Sequence, residues 1–130
     1  MKISRQAFEQ LVLDAIEAIP KPFRERMENI AVTVESRPTP AQRRQFGLRT
    51  DDSLLGLYEG LPNTRRGAAY GNILPDKIII FQEPLSRLCP DLDTLREEVY
   101  QTVWHEVGHY FGLSDAKLRR LERERKRKQR

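Results

Sequence analysis

His105-Glu106-Val107-Gly108-His109-Tyr110-Phe111-Gly112-Leu113-Ser114-Asp115 is the stretch on which the reading of this chain turns. It opens with the spacing H-E-x-x-H. Residues four apart on an α-helix share a face, so His105 and His109 can grip one metal ion together. They are the only two histidines in the chain. The plain alternative is a pair of histidines packed into a core, and the helical wheel speaks against it. Leu92, Leu95, Val99, Tyr100, Val103, Trp104, Val107, Tyr110 and Phe111 gather on one broad apolar side. Glu98, Gln101, Thr102, His105, Gly108, His109 and Gly112 fall on the other, which is polar or small. Core histidines would share the apolar side. In the metal reading Glu106 is no ligand; it is the base that takes a proton from water at the ion.

Signals on either side frame this helix. Thr94 and Glu97 read as a T-x-x-E capping box, with Asp91 and Asp93 adding negative charge, so the helix is expected from about Leu95 to Phe111. Gly112 stands where a left-handed residue ends a helix. Ser114 can cap a last helix whose apolar stripe is brief, Leu118 and Leu121.

Upstream, Ser4 can cap a helix with Phe8, Leu11, Val12, Ala15, Ile16 and Ile19 on one face, ended by Pro20 and Pro22. A short helical turn follows around residues 23–29. Ile30–Glu35 reads as a strand, Leu54–Tyr58 as a weaker one, and Lys77–Gln82 as the strongest, apolar enough for burial on both faces. Between them, residues 36–52 and 62–76 are read as long loops, rich in Pro, Gly and Arg. Residues 84–89 suggest another short turn of helix before Pro90.

The chain has 130 residues, and its charged residues are unevenly spread. Nine of its 23 Lys and Arg, but only two of its 19 Asp and Glu, fall in the tail at 117–130, so the remainder is net acidic although the whole carries +4. The expected organisation is one domain over residues 1–116 and a basic, highly charged tail over 117–130. The single cysteine, Cys89, rules out an internal disulfide and a cysteine-based zinc site, and suits a small buried apolar position. No apolar signal region or membrane-spanning run interrupts the pattern, so a cytoplasmic protein with no membrane partner is expected.

Taken with Gly56-Leu57-Tyr58-Glu59-Gly60 and Ile78-Ile79-Ile80-Phe81, the stretch from His109 to Asp115 resembles the small bacterial zincin-like metallopeptidases, the minimal zincins, in their extended form H-E-x-x-H-x-x-G-x-x-D. The resemblance covers most of residues 1–116 and not the tail. It implies an α+β fold, with a small mixed β-sheet packed on the N-terminal helix and on a helix in the C-terminal half that carries H-E-x-x-H. It also implies a Zn2+ cofactor held by His105, His109 and Asp115, with Glu106 catalytic. For the third ligand, Glu122 or Glu124 is the alternative, and Asp115 also suits the first turn of a helix. The chain departs from metzincins, because its only internal methionine, Met27, lies upstream of the motif.

The activity so implied is hydrolysis of a peptide or protein substrate. Tyr58, Tyr70 and Tyr110 are candidates by type for stabilising the oxyanion, and Arg65 and Arg66 for holding a substrate carboxylate. A second class of function is a metal-binding regulatory or interaction protein without turnover. A third is association with nucleic acid through the tail at 117–130, but the tail has no interleaved aromatics, which favours a solvated charged helix.

Overall fold

The computed structural model describes residues 1–27, 29–45, 54–60 and 76–128; within it the side chains of Asp115 and Lys128 are left undescribed. The elements run α1 (Arg5–Glu17), α2 (Lys21–Arg24), β1 (Ile30–Glu35), α3 (Pro40–Gln45), β2 (Gly56–Glu59), β3 (Asp76–Phe81), α4 (Gln82–Leu88), α5 (Leu92–Tyr110) and α6 (Asp115–Lys128). The fold is α+β with a three-stranded mixed sheet in the order β1-β3-β2, as expected. β1 pairs with β3 in parallel, Ile30 opposite Asp76, and β2 pairs with β3 antiparallel, Gly56 opposite Ile80.

β3 occupies the middle because it is apolar on both faces. Ile78 and Ile80 enter the main core, while Ile79 and Phe81 form a second cluster with Leu57 on the opposite face. Against the first face lies a helical layer in which α1 packs on α5 through Phe8, Leu11, Val12, Leu95, Val99 and Val103. α1 starts at Ser4, whose hydroxyl accepts the Ala7 N–H at 3.1 Å. Arg5 ties this helix to the sheet, donating to the Val34 carbonyl at 3.0 Å and to Ser36 Oγ at 2.9 Å. Cys89 is buried in the same core, and desolvation, with the Glu98 charge adding to it, pushes its thiol pKa up. No helix among the described residues is long and apolar enough to cross a membrane.

Two local expectations need correction. Within the stretch read as a loop at 36–52, Pro40–Gln45 is helical. Thr39 caps it: the Gln42 N–H donates to Thr39 Oγ1 at 3.1 Å, and the Thr39 N–H donates to Gln42 Oε1 at 2.8 Å. This is a reciprocal capping box with proline in the first helical position. α5, in turn, begins at Leu92 rather than Leu95. Asp91 is its cap and accepts the Thr94 N–H at 2.8 Å, which also holds the Asp91 carboxyl below its ordinary range. Leu92, at the first position, is exposed and does not join the apolar side.

Candidate metal centre

The site stands on α5 and is walled by two neighbours. His105 and His109 are one turn apart and half-exposed, with ring centroids 4.5 Å apart and planes at 69°. Glu106 between them is only 7% exposed, and its Oε1 lies 3.3 Å from His109 Nδ1. One ligand atom from each of the three side chains lies within 4.8 Å of the others. Zinc bound at about 2.0–2.1 Å with tetrahedral angles spaces its donors by roughly 3.4 Å, so a small contraction brings the imidazole pair to ligand distance. The donor set fits as well, since neutral imidazole is a common ligand and the pair has an open side.

Glycines set the walls. At Gly56, where β2 meets α5, an added Cβ would lie 2.7 Å from Thr102 Cγ2 and 3.2 Å from Glu106 Cγ. Thr102 donates its hydroxyl to the Glu98 carbonyl at 2.8 Å. Only a residue without a side chain lets the strand approach this closely, and that approach buries Glu106. Gly108 does the same for α6: a Cβ there would meet Leu118 Cδ2 at 2.3 Å and Leu118 Cγ at 2.9 Å. Thr102 and Gly108, read from the wheel as outward-facing, are therefore buried.

After His109 the helix closes as expected at glycine. Gly112 takes φ +73°, its N–H donates to the His109 carbonyl at 3.0 Å, and the Leu113 N–H reaches the Gly108 carbonyl at 2.9 Å. This pair of bonds reverses the chain. Ser114 then caps α6, accepting the Lys117 N–H at 3.1 Å. The Asp115 backbone thus stands at the start of α6, just past the reversal, while its side chain lies outside the described residues.

The other sequence candidates separate. Glu122 shares a cavity of about 140 Å³ with His105, but it is not in the ligand cluster, and Arg125 holds it. Arg125 also binds Glu97 of α5 and stacks over the Tyr100 ring with its guanidinium carbon 4.3 Å from the centroid. The two carboxylates raise the Arg125 pKa against the opposing effect of burial, and burial raises that of Tyr100. Sequence reasoning missed this clamp, although Glu122 and Arg125 are three apart and could have signalled it. Glu124 lies outside the ligand cluster too. Tyr58 donates its hydroxyl to the buried Asp76 at 2.8 Å, and Tyr110 is fully buried beside the Tyr58 ring. Tyr70, Arg65 and Arg66 lie outside the described residues.

A cavity of about 320 Å³ opens over His105 and Glu106, bounded by Leu54, Leu55 and Gly56 on one side and by Glu98, Gln101 and Thr102 of α5 on the other. Among the described residues β2 is the edge of the sheet on this side.

Fold and site together define the class, an α+β chain built around a helix that presents a His-Glu-His cluster suited to a metal ion. The sequence model of the zincin-like metallopeptidase family matches residues 27–125, and the chain belongs to that family. The matched range extends into α6 as far as Arg125. Among solved structures, a conserved hypothetical protein from Thermo thermophilus is similar, with 22% identity and a TM-score of 0.56 over 84% of this chain and 94% of that one. That likeness is one of fold. No curated protein matches the chain.

Proposed function

We propose that the protein is a zinc-dependent peptidase with its centre at His105, Glu106 and His109. The observation that carries the reading is the clustering of these three side chains, two of which, His105 and Glu106, line an open groove beside β2, the edge among the described strands. In this reading His105 and His109 hold the ion, and Asp115, whose backbone opens α6 after the reversal at Gly112, is the third ligand. Zinc so bound polarises a carbonyl and lowers the pKa of water to roughly 7.

The remaining steps belong to the chain. Glu106 accepts a proton from the attacking water and passes it to the leaving amine. Its near-complete burial between Gly56 and His109 leaves it little room to swing away, which is the positioning such a transfer needs. Among the described strands the outer edge of β2 is unpaired, so in this reading it offers backbone N–H and C=O groups to an extended peptide whose scissile bond lies over His105 and Glu106.

The experiment is incubation of the purified protein with an unbiased peptide pool, with added zinc and then with a chelator. Zinc-dependent cleavage supports the proposal. Bound zinc without cleavage of any peptide would leave a metal-binding protein without turnover, and failure to bind zinc would remove both readings.

A further inference from the structure

The groove over His105 and Glu106 continues along α5 towards its N-terminus, and Glu98 lines that far part together with Gln101, Leu54 and Leu55. Glu98 is half-buried. Its neighbours on α5 are committed elsewhere, Glu97 to Arg125 and Asp93 to Arg96. The Glu98 carboxylate itself makes no ion pair among the described residues, and no described Lys or Arg lines the groove. A half-buried carboxylate facing an open cavity that no described cation lines attracts one from outside.

Geometry sets where along a substrate that cation would lie. Glu98 and Glu106 are eight residues apart on one helix, about 12 Å along its axis at 1.5 Å per residue. An extended peptide covers this in about three to four residues at roughly 3.3 Å each. Leu54 and Leu55 form the apolar wall beside Glu98. Lys and Arg have the matching shape, an aliphatic stem that packs on apolar surface and a cationic head. An acidic side chain at the same place would face Glu98 with no compensating charge among the described residues.

We infer that Glu98 is a specificity residue, which selects a substrate Lys or Arg three or four residues from the bond cleaved, with Leu54 and Leu55 flanking the stem. This rests on the groove being the peptide site of the proposed peptidase, so the test reads binding separately from turnover. Glu106→Gln protein, loaded with zinc and immobilised, is exposed to an unbiased peptide pool, and the retained peptides are sequenced. Lys and Arg are expected to be enriched at one position on the order of tenfold, the range for a half-buried charge pair. Adding Glu98→Gln should abolish the enrichment, and adding Glu98→Lys should transfer it to Asp and Glu. Retention that is indifferent to Glu98, or absence of any basic enrichment, overturns the inference. If basic peptides are retained through Glu98 but the wild-type protein cleaves none of them, the peptidase reading fails and the preference of the groove stands.

Discussion

Gly108 is where the fold and the site meet most tightly, and replacing it separates two opposed effects. Alanine is the better helix former, favoured over glycine in a helix interior by about 1 kcal/mol. A methyl group here, however, would come within 3.0 Å of both δ-carbons and the γ-carbon of Leu118. Rotation about χ2 moves the two δ-carbons but not the branch point, and rotation about χ1 swings the whole isobutyl group out of its place, so Leu118 must leave or α6 must shift. Leu118 is 4% exposed, and expelling a side chain so buried forfeits roughly 1.5–3 kcal/mol. Gly108→Ala should therefore destabilise the protein by about 0.5–2 kcal/mol and lower Tm by roughly 2–8 °C. Leu118→Ala alone should cost about 2–4 kcal/mol, as a buried truncation. In that background the obstacle is gone, and adding Gly108→Ala should stabilise by about 1 kcal/mol. The same substitution thus changes sign with its partner, which denaturant unfolding of the four proteins measures as a double-mutant cycle. A neutral Gly108→Ala in the parent, or costs that simply add, would refute the packing of α6 on the motif helix.

Other consequences can be checked alongside. Gly56→Ala should push Glu106 or Thr102 aside and reduce kcat of the proposed hydrolysis far more than zinc affinity, since the atoms nearest the new methyl group belong to Thr102, Glu106 and Ile79. Removing the guanidinium in Arg125→Ala leaves Glu122 largely buried without its partner and uncovers the Tyr100 ring, at a cost of about 1–3 kcal/mol in denaturant unfolding. Cys89 and Tyr100 both have pKa values raised by burial, so above roughly pH 9 the unfolded chain gives up these protons before the native one does. Stability should accordingly fall as pH climbs through that range, and a Cys89→Ala/Tyr100→Phe protein should lose less of it. Asp115→Ala should weaken zinc binding by more than about a hundredfold if its carboxylate is the third ligand, and leave it unchanged if water fills that position.

Much of this architecture can be read from local pattern. Ile30–Glu35 is β-branched and alternating, and it forms a strand over those same residues. Ile78–Phe81 is apolar without alternation, and it is the central strand buried on both faces. Ser4, Gly112 and Ser114 act as caps because capping depends on one residue and its immediate neighbours. Local signals mislead where two of them compete. Asp91 and Thr94 are both capping types three residues apart, and Asp91, with Thr94 as its hydrogen-bond partner, begins the helix. At residues 39–42 the T-P-x-Q signal is present but surrounded by arginine and proline.

The site is legible in part for a different reason. The helical wheel describes α5 in isolation, so it separates His105 and His109 from the apolar side correctly. It cannot show that β2 and α6 also pack on the polar side, because their contacts pass through the two smallest residues, Gly56 and Gly108. The carboxylate of Glu106 is buried by that tertiary contact and not by anything in its own helix. Likewise, the charged tail reads as solvated until Arg125 is seen to join Glu97, Glu122 and Tyr100 across two helices.

The most direct test of the central claim is to measure zinc content and peptide cleavage together in the wild-type protein and in Glu106→Gln. If His105 and His109 hold the ion and Glu106 moves the proton, both proteins carry zinc and only the wild type cleaves. Equal cleavage by the two would contradict the role given to Glu106, and loss of zinc from Glu106→Gln would make that residue a ligand instead of the base.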